Sequence, residues 1–233
     1  MNIKNVTFVA EIGQNHNGNI DLCYELIKEA KYAGANIAKF QLGWRAKKEE
    51  RNHIDKDSLK KLHDWGNHFG IEIMFSVFND EALNLLKPFR PQRFKIASRT
   101  LVENLDLVKK ILKFKKETFI SLGRWNKKSL PFKKTDNIKY LWCKYQYPTF
   151  NKHLTNFPKK FNKSYYDGLS DHCVDIDTSL LAISRGAVII ERHFTLDKSS
   201  NVIRDHALSS TPEEFYNLVK LGRELRIKYL KGI

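Results

Sequence analysis

Short β-branched apolar runs alternate along this chain with longer stretches whose apolar residues recur three or four positions apart. The runs predict strands at Thr7–Ile12, Asn36–Gln41, Ile71–Val77, Arg93–Ala97, Thr118–Leu122, Lys139–Lys144, Asp167–Ser170 and Ala187–His193. The stretches between them predict helices at Leu22–Ala33, Ser58–Phe69, Asp80–Leu86, Asn104–Phe114, His153–Phe161, Asp177–Arg185 and Pro212–Tyr229. Gly34 and Gly70 stand just past two of these helices, where a left-handed residue closes a C-terminus. Thr211, Pro212 and the acidic pair Glu213 and Glu214 make a helix start. Between Gly123 and Asn137 a proline interrupts a polar stretch without apolar period, so the fifth helix is expected to be degenerate. Alternating β and α units favour a parallel sheet. Eight of them, with polar residues at most strand C-terminal ends, favour closure into a (β/α)8 TIM barrel.

Those C-terminal ends carry the candidate chemistry. In Val188–Asp197 an apolar run gives way to Glu191, Arg192 and His193; strand alternation puts Glu191 and His193 on one face and Arg192 on the other. One unit earlier Ser170 and His172 share a face. A single strand histidine is usually a satisfied core residue, but two at matching depth on successive strands, each beside an acid, suit a divalent metal. Asp171 alternates away from His172 as an outer partner or a wall contact, and His206 is placed at the surface.

The other strands supply an anion cradle. Lys39 and Gln41 share a face at the end of the second strand, and Lys95 and Ser98 close the fourth. A lysine pointing into a barrel needs an anion or a carboxylate, because burying it unpaired is costly. Phosphate is one partner for Lys39 and Glu11 the structural alternative. Ser121 and Gly123 offer a hydroxyl and close backbone approach. Tyr147 stands at the end of the aromatic sixth strand, and Asp205 lies in a long loop after the eighth.

Composition narrows the class. With 233 residues the chain fits one barrel domain, residues 1–233. Three cysteines without CxxC spacing read as reduced thiols of a cytoplasmic protein, and no apolar run approaches a membrane span. The 41 Lys and Arg residues exceed the 26 Asp and Glu, for a net charge of +15. The lysines are scattered along helix-like stretches and loops without a nucleic-acid motif, so an attractive field for anionic metabolites is favoured over nucleic-acid binding.

Six segments, taken together, resemble the N-acetylneuraminate (sialic acid) synthase family. They are Ala10–Gly18 (AEIGQNHNG), Gly34–Gln41 (GANIAKFQ), Phe94–Ser98 (FKIAS), Tyr147–Thr149 (YPT), Gly168–His172 (GLSDH) and Glu191–Thr195 (ERHFT). The resemblance implies a TIM barrel that condenses phosphoenolpyruvate with an N-acetylhexosamine-type aldose to a nonulosonic acid and phosphate. It implies that His172 and His193 hold a divalent metal, Mn²⁺ with Mg²⁺ or Co²⁺ as alternatives. That ion would polarise the open-chain aldehyde as a Lewis acid. Lys95, Ser98, Ser121 and Ser170 would take the phosphate, with Lys39 near the carboxylate. Glu11, Gln41, Tyr147 and Asp205 would face the amino sugar. Glu191 would be an acid/base group, and it or Glu11 would guide the water that adds before phosphate leaves.

The chain departs from the family pattern at three places. Val77 stands where the family has a phosphate-binding threonine, Tyr145 where it has an asparagine, and Ser121–Arg124 replaces Ser-Thr-Gly-Met. Arg99 and Arg124 are expected to compensate. The family's C-terminal antifreeze-like domain has no counterpart before Ile233, and a homodimer has no argument from sequence. The competing reading is a degenerate barrel that binds a metabolite or a partner protein without catalysis.

Overall fold

The structure is a computed structural model that describes residues 6–161 and 165–233. Eight parallel strands close into a barrel: β1 (Thr7–Gly13), β2 (Ile37–Leu42), β3 (Glu72–Val77), β4 (Arg93–Ile96), β5 (Glu117–Ser121), β6 (Ile138–Cys143), β7 (Gly168–Asp171) and β8 (Ile189–His193), which pairs with β1. The helices are α1 (Leu22–Tyr32), α2 (Lys56–Phe69), α3 (Asp80–Leu86), α4 (Ser98–Glu103), α5 (Leu105–Leu112), α6 (Asp177–Ser184) and α7 (Pro212–Lys231). Asp55 caps α2, and Gly70 ends it in the left-handed region at φ 65°. Thr211 and Glu214 form a capping box on α7, as its sequence predicts.

One predicted helix is missing and one unpredicted helix is present. Over His153–Phe161 the chain makes only a 3₁₀ turn, Asn151–His153, and then irregular turns. Asn156 sits at φ 63° and Pro158 follows Phe157, so the apolar spacing there cannot be continued as a helix. The helix predicted over Asn104–Phe114 forms as α5, opened by the Asn104 side chain, which accepts the Leu107 amide; α4, ahead of it, is a helix that the sequence reading did not predict. As expected, no helix forms between β5 and β6.

The two faces of each strand bury different things. Outward residues such as Phe8, Phe40, Phe75 and Ile190 pack under the helices in the main core. Inward, Val9, Ile37, Met74, Phe119, Leu141 and Ile189 plug the lower barrel. Two positions further along those same strands, one pleat repeat, stand Glu11, Lys39, Ser76, Ser121, Cys143 and Glu191. The interior thus turns from apolar to polar within a single layer, and Lys95 and Ser170 complete the polar ring. A Cβ at Gly168 would collide with the Ile189 carbonyl, so β7 approaches β8 only because that residue has no side chain.

Arg192 anchors the outer face. Its guanidinium is wholly buried and donates to Asp171 Oδ2 at 3.0 Å, Ser210 Oγ at 2.5 Å and the Val174 carbonyl at 2.5 Å. Asp171 also accepts Ser179 Oγ at 2.6 Å from α6 and the Cys173 amide at 2.9 Å, which makes it a wall contact. The pair therefore joins β7, β8, α6 and the segment leading into α7. Arg192→Met strands the Asp171 carboxylate without its counter-charge. Urea denaturation is expected to show a loss of about 3–5 kcal/mol; an unchanged midpoint would show that this ion pair does not anchor the wall.

Candidate active site

The polar ring holds two ammoniums and two carboxylates away from water. Lys39, Lys95, Glu11 and Glu191 are each at most 5% exposed. Lys39 Nζ is ion-paired with Glu11, donates to Ser76 Oγ at 2.9 Å and lies 3.7 Å from Glu191 Oε2. Lys95 Nζ donates to Ser121 Oγ at 2.9 Å and lies 3.5 Å from Glu191 Oε1. Glu191 also accepts Ser170 Oγ at 2.8 Å. Burial by itself would raise the Glu191 pKa, but Lys39 and Lys95 outweigh it and hold the carboxyl well below its usual range. Desolvation draws the Lys95 ammonium down against the pull of Glu191. Lys39 thus finds the structural partner that its sequence position left open, while Glu191 Oε2 has no hydrogen-bond donor.

Gly13 makes room for this arrangement. The register between β1 and β2 slips between Glu11 and Gly13, and Gly13 takes φ 57°. A Cβ there would press on Gln41 Nε2 at 3.2 Å and Glu11 Oε1 at 3.3 Å, the two atoms that hydrogen-bond to each other. Glu11 is opposite Lys39 in the regular register before the slip, and Gly13 leaves the space in which it also meets Gln41.

Above the ring stand the imidazoles. The β7–β8 register aligns Asp171 with Arg192, so His172 and His193 sit at one level with ring centroids 5.5 Å apart. His172 Nδ1 lies 2.9 Å from the Lys144 carbonyl, which fixes the proton on Nδ1 and leaves Nε2 as a lone-pair donor. Burial, then repulsion from His193, draws the His172 pKa down to about 4, so the ring is neutral at physiological pH. Burial pushes the neighbouring Cys143 thiol up to about 12 and keeps it protonated. Its Sγ lies 3.7 Å from His172 Nδ1, the nitrogen already used by the backbone. Among the described residues no three His, Cys, Asp or Glu side chains form a ready-made metal cluster. The free Nε2 of the neutral His172 and the His193 ring at its level, in one cavity with the unsatisfied Glu191 Oε2, nevertheless fit a cation that takes its other ligands from substrate and water.

One cavity of about 530 Å³ brings together every candidate residue: Glu11, Lys39, Gln41, Lys95, Ser98, Ser121, Tyr147, Ser170, His172, Glu191, His193 and Asp205. The Tyr147 ring lies 4.1 Å from His172, and burial raises its phenol well above the ordinary range. Ser76, Trp44, Arg45 and Arg204 also line the cavity without having been singled out from sequence. Ser76 was legible from period-2 alternation after Met74; the others lie in loops, where no period exists to read.

Three expectations need correction. Val77 does not sit in the cradle: it packs outward in the core beneath the helices, and Ser76 and Phe78 line the cavity instead. Arg124 does not reach the cavity; it pairs with Glu103 at 2.5 Å and stacks on Tyr145, while Arg99 does line it. His206 is buried rather than at the surface, held between Thr195 Oγ1 at 2.7 Å and Asn17 Oδ1 at 2.8 Å. It ties the loop bearing Asp205 to the loop after β1.

The NeuB family matches residues 45–232 of this chain. The chain is 33% identical over 231 residues to the uncharacterized protein MJ1065 of Methanocaldococcus jannaschii, an alignment covering 91% of this chain and 68% of that protein. It is 30% identical over 269 residues to the N,N'-diacetyllegionaminic acid synthase of Campylobacter jejuni, covering 99% of this chain and 79% of that protein. The crystal structure of N-acetylneuraminic acid synthetase from Leptospira borgpetersenii, in complex with citrate, superposes with a TM-score of 0.83 at 27% identity, over 96% of this chain and 84% of the other. A 3-deoxy-D-arabino-heptulosonate 7-phosphate synthase from Thermotoga maritima shares the fold at a TM-score of 0.67 and 15% identity. A closed barrel with this polar ring, and a match over most of its length, make this chain an enzyme of the NeuB family.

Proposed function

We propose that this enzyme condenses phosphoenolpyruvate with an N-acetylhexosamine-type aldose, giving a nonulosonic acid and phosphate, with a divalent metal at His172 and His193. The observation that carries the reading is the juxtaposition, in one cavity, of a lysine–serine cradle with two imidazoles at the same level. The synthase names of the relatives at 30% identity and at a TM-score of 0.83 support the reaction class. Three buried free thiols agree with a reducing, cytoplasmic setting.

In this reading Lys95, Ser98, Ser121 and Ser170 bind the phosphate, and Lys39 faces the carboxylate. Small hydroxyls around a buried ammonium suit a tetrahedral anion, which would settle the charge that burial disfavours on Lys95. The imidazole Nε2 of His172 and the ring of His193 would hold the cation, and imidazole with oxygen ligands suits a borderline ion such as Mn²⁺. Bound there, it supplies Lewis-acid polarisation of the aldehyde oxygen. Gln41, Tyr147 and Asp205 orient the sugar so that its C1 meets C3 of the enol. Carbon–carbon bond formation leaves a cationic centre at C2, to which water adds before the C–O bond to phosphate breaks. Glu191 Oε2, ionised and lacking a donor, accepts a hydrogen bond from that water and orients it. Glu11, bonded to both Lys39 and Gln41, sets the position of the sugar side.

Incubation with Mn²⁺, phosphoenolpyruvate and a panel of N-acetylhexosamines is expected to release phosphate together with a 3-deoxy-2-keto acid. Chelation should abolish turnover and added Mn²⁺ restore it. His172→Ala and His193→Ala should each lower turnover at least about a hundredfold, and full activity in either would sink the assignment. For Lys95→Met, steady-state kinetics should show a KM for phosphoenolpyruvate raised by about tenfold or more. An unaltered KM would place the phosphate elsewhere.

A further inference from the structure

The surplus positive charge of this chain is concentrated in one stretch. Residues 107–163 carry 16 of its 41 Lys and Arg but 2 of its 26 Asp and Glu, while the other 176 residues are nearly balanced at 25 against 24. The stretch runs from α5 through β5 and β6 into the loop beyond, where the barrel is covered by loops in place of helices. All but one of its cations are lysines, and the exception, Arg124, is taken by Glu103. Of its two carboxylates, Glu117 is held by Arg93, which leaves Asp136 exposed.

The fold gathers these lysines at the closed end of the barrel, where its strands begin. Lys115 and Lys116 immediately precede β5, and the Thr118 amide donates to the Asn137 carbonyl at 2.7 Å, which brings the entry to β6, with Lys133, alongside. Lys134 donates to the Tyr165 carbonyl at 3.1 Å and to Asp167 Oδ2 at 2.8 Å, so the entry to β7 joins them. The Phe161 amide donates to the Arg185 carbonyl at 2.8 Å, which seats Lys159 and Lys160 at the end of α6. Lys109, Lys110 and Lys134 have Asp106, Asp80 and Asp167 as partners. Lys113, Lys115, Lys116, Lys133, Lys159 and Lys160 are exposed, and none has a carboxylate partner among the described residues. None of the six lines the cavity, so attraction of substrate does not account for them.

We propose that this end of the barrel docks on an anionic lipid surface and leaves the cavity at the opposite end turned to solvent. No helix among the described residues is long and apolar enough to cross a membrane, so the contact is with headgroups. A fluid array of phosphodiesters offers charge without fixed geometry. Flexible ammonium groups follow such an array, whereas planar guanidinium forks suit a phosphate held in one place. Phe114 lies exposed between Lys113 and Lys115, an aromatic ring at the level where the headgroup boundary takes one. One side of that ring packs on Phe94, with centroids 5.4 Å apart, and Lys87 lies over it at 6.0 Å, so it offers no open stacking platform to a nucleic-acid base. The docking face is independent of the condensation reading and of the acceptor.

The full chain is mixed with vesicles of phosphatidylcholine, alone or with phosphatidylglycerol, and the bound fraction is read by flotation. Binding to the anionic vesicles is expected to exceed binding to the neutral ones by at least about tenfold at low salt, and to be lost at high salt. The triple variant Lys115→Glu, Lys116→Glu, Lys133→Glu should lower it by about tenfold or more, with the thermal midpoint unchanged. The milder Lys→Gln set at the same positions should give a smaller loss in the same direction. Reversal of three exposed lysines elsewhere, Lys56, Lys61 and Lys220, alters net charge equally and should leave most of the binding in place. Equal loss in the two reversed sets overturns the docking face, because net charge alone then explains it. Indifference of the wild type to phosphatidylglycerol overturns it as well. Tighter retention by poly-uridylate or polyglutamate than by the vesicles would overturn it too, by assigning these lysines to a nucleic acid or an acidic protein.

Discussion

The buried quartet of Lys39, Lys95, Glu11 and Glu191 is the constraint around which this barrel is arranged. Charges withdrawn from water are tolerable only when paired at close range and supplied with further hydrogen bonds. Each member meets that condition with a neighbour on a different strand: Lys39 with Glu11 and Ser76, Lys95 with Ser121, Glu191 with Ser170. The apolar plug of Val9, Met74, Phe119 and Leu141 below closes the barrel from one end, so the ring opens in one direction only. Bound substrate would therefore meet charges already oriented, with little rearrangement left to make.

Stability and chemistry share the same two strands without interfering. On β8 the side chains of Glu191 and His193 line the cavity while Arg192 turns into the wall; on β7 Ser170 lines the cavity and Asp171 receives the arginine. The ion pair in the wall fixes the strands whose inner faces set the spacing of the imidazoles. The β6 end contributes from the third side, since the Lys144 carbonyl determines which nitrogen of His172 remains free. Beyond the ring the balance of charge changes. Guanidiniums on Trp44, Tyr145 and Tyr147 outnumber the carboxylates that meet them, so the cavity grows more attractive to anions toward solvent.

The eight strands and most helices were legible because their signals are local. Period-2 burial, C-terminal glycines and the capping box at Thr211 each act within a few residues of chain. The expected helix over His153–Phe161 failed where a left-handed Asn156 and Pro158 overruled apolar spacing. Inward residues near strand ends, such as Lys39, Glu191 and His193, were legible for the same reason, because alternation along a strand assigns its faces. Val77 was misread because its position in a motif said nothing of the face it occupies, which is the outer one.

By itself, then, the sequence determined the order of units, the faces of the strands and most of the strand-end groups that line the cavity. Tertiary structure alone decided who meets whom. Closure of β8 on β1 sets Glu11 level with His193, and the β1–β2 register sets Glu11 opposite Lys39. The loops decided the rest: His206 became buried and Arg45 came to share an indole with Arg99. Pairings of that kind join residues far apart in the chain, and no local periodicity encodes the distance between them.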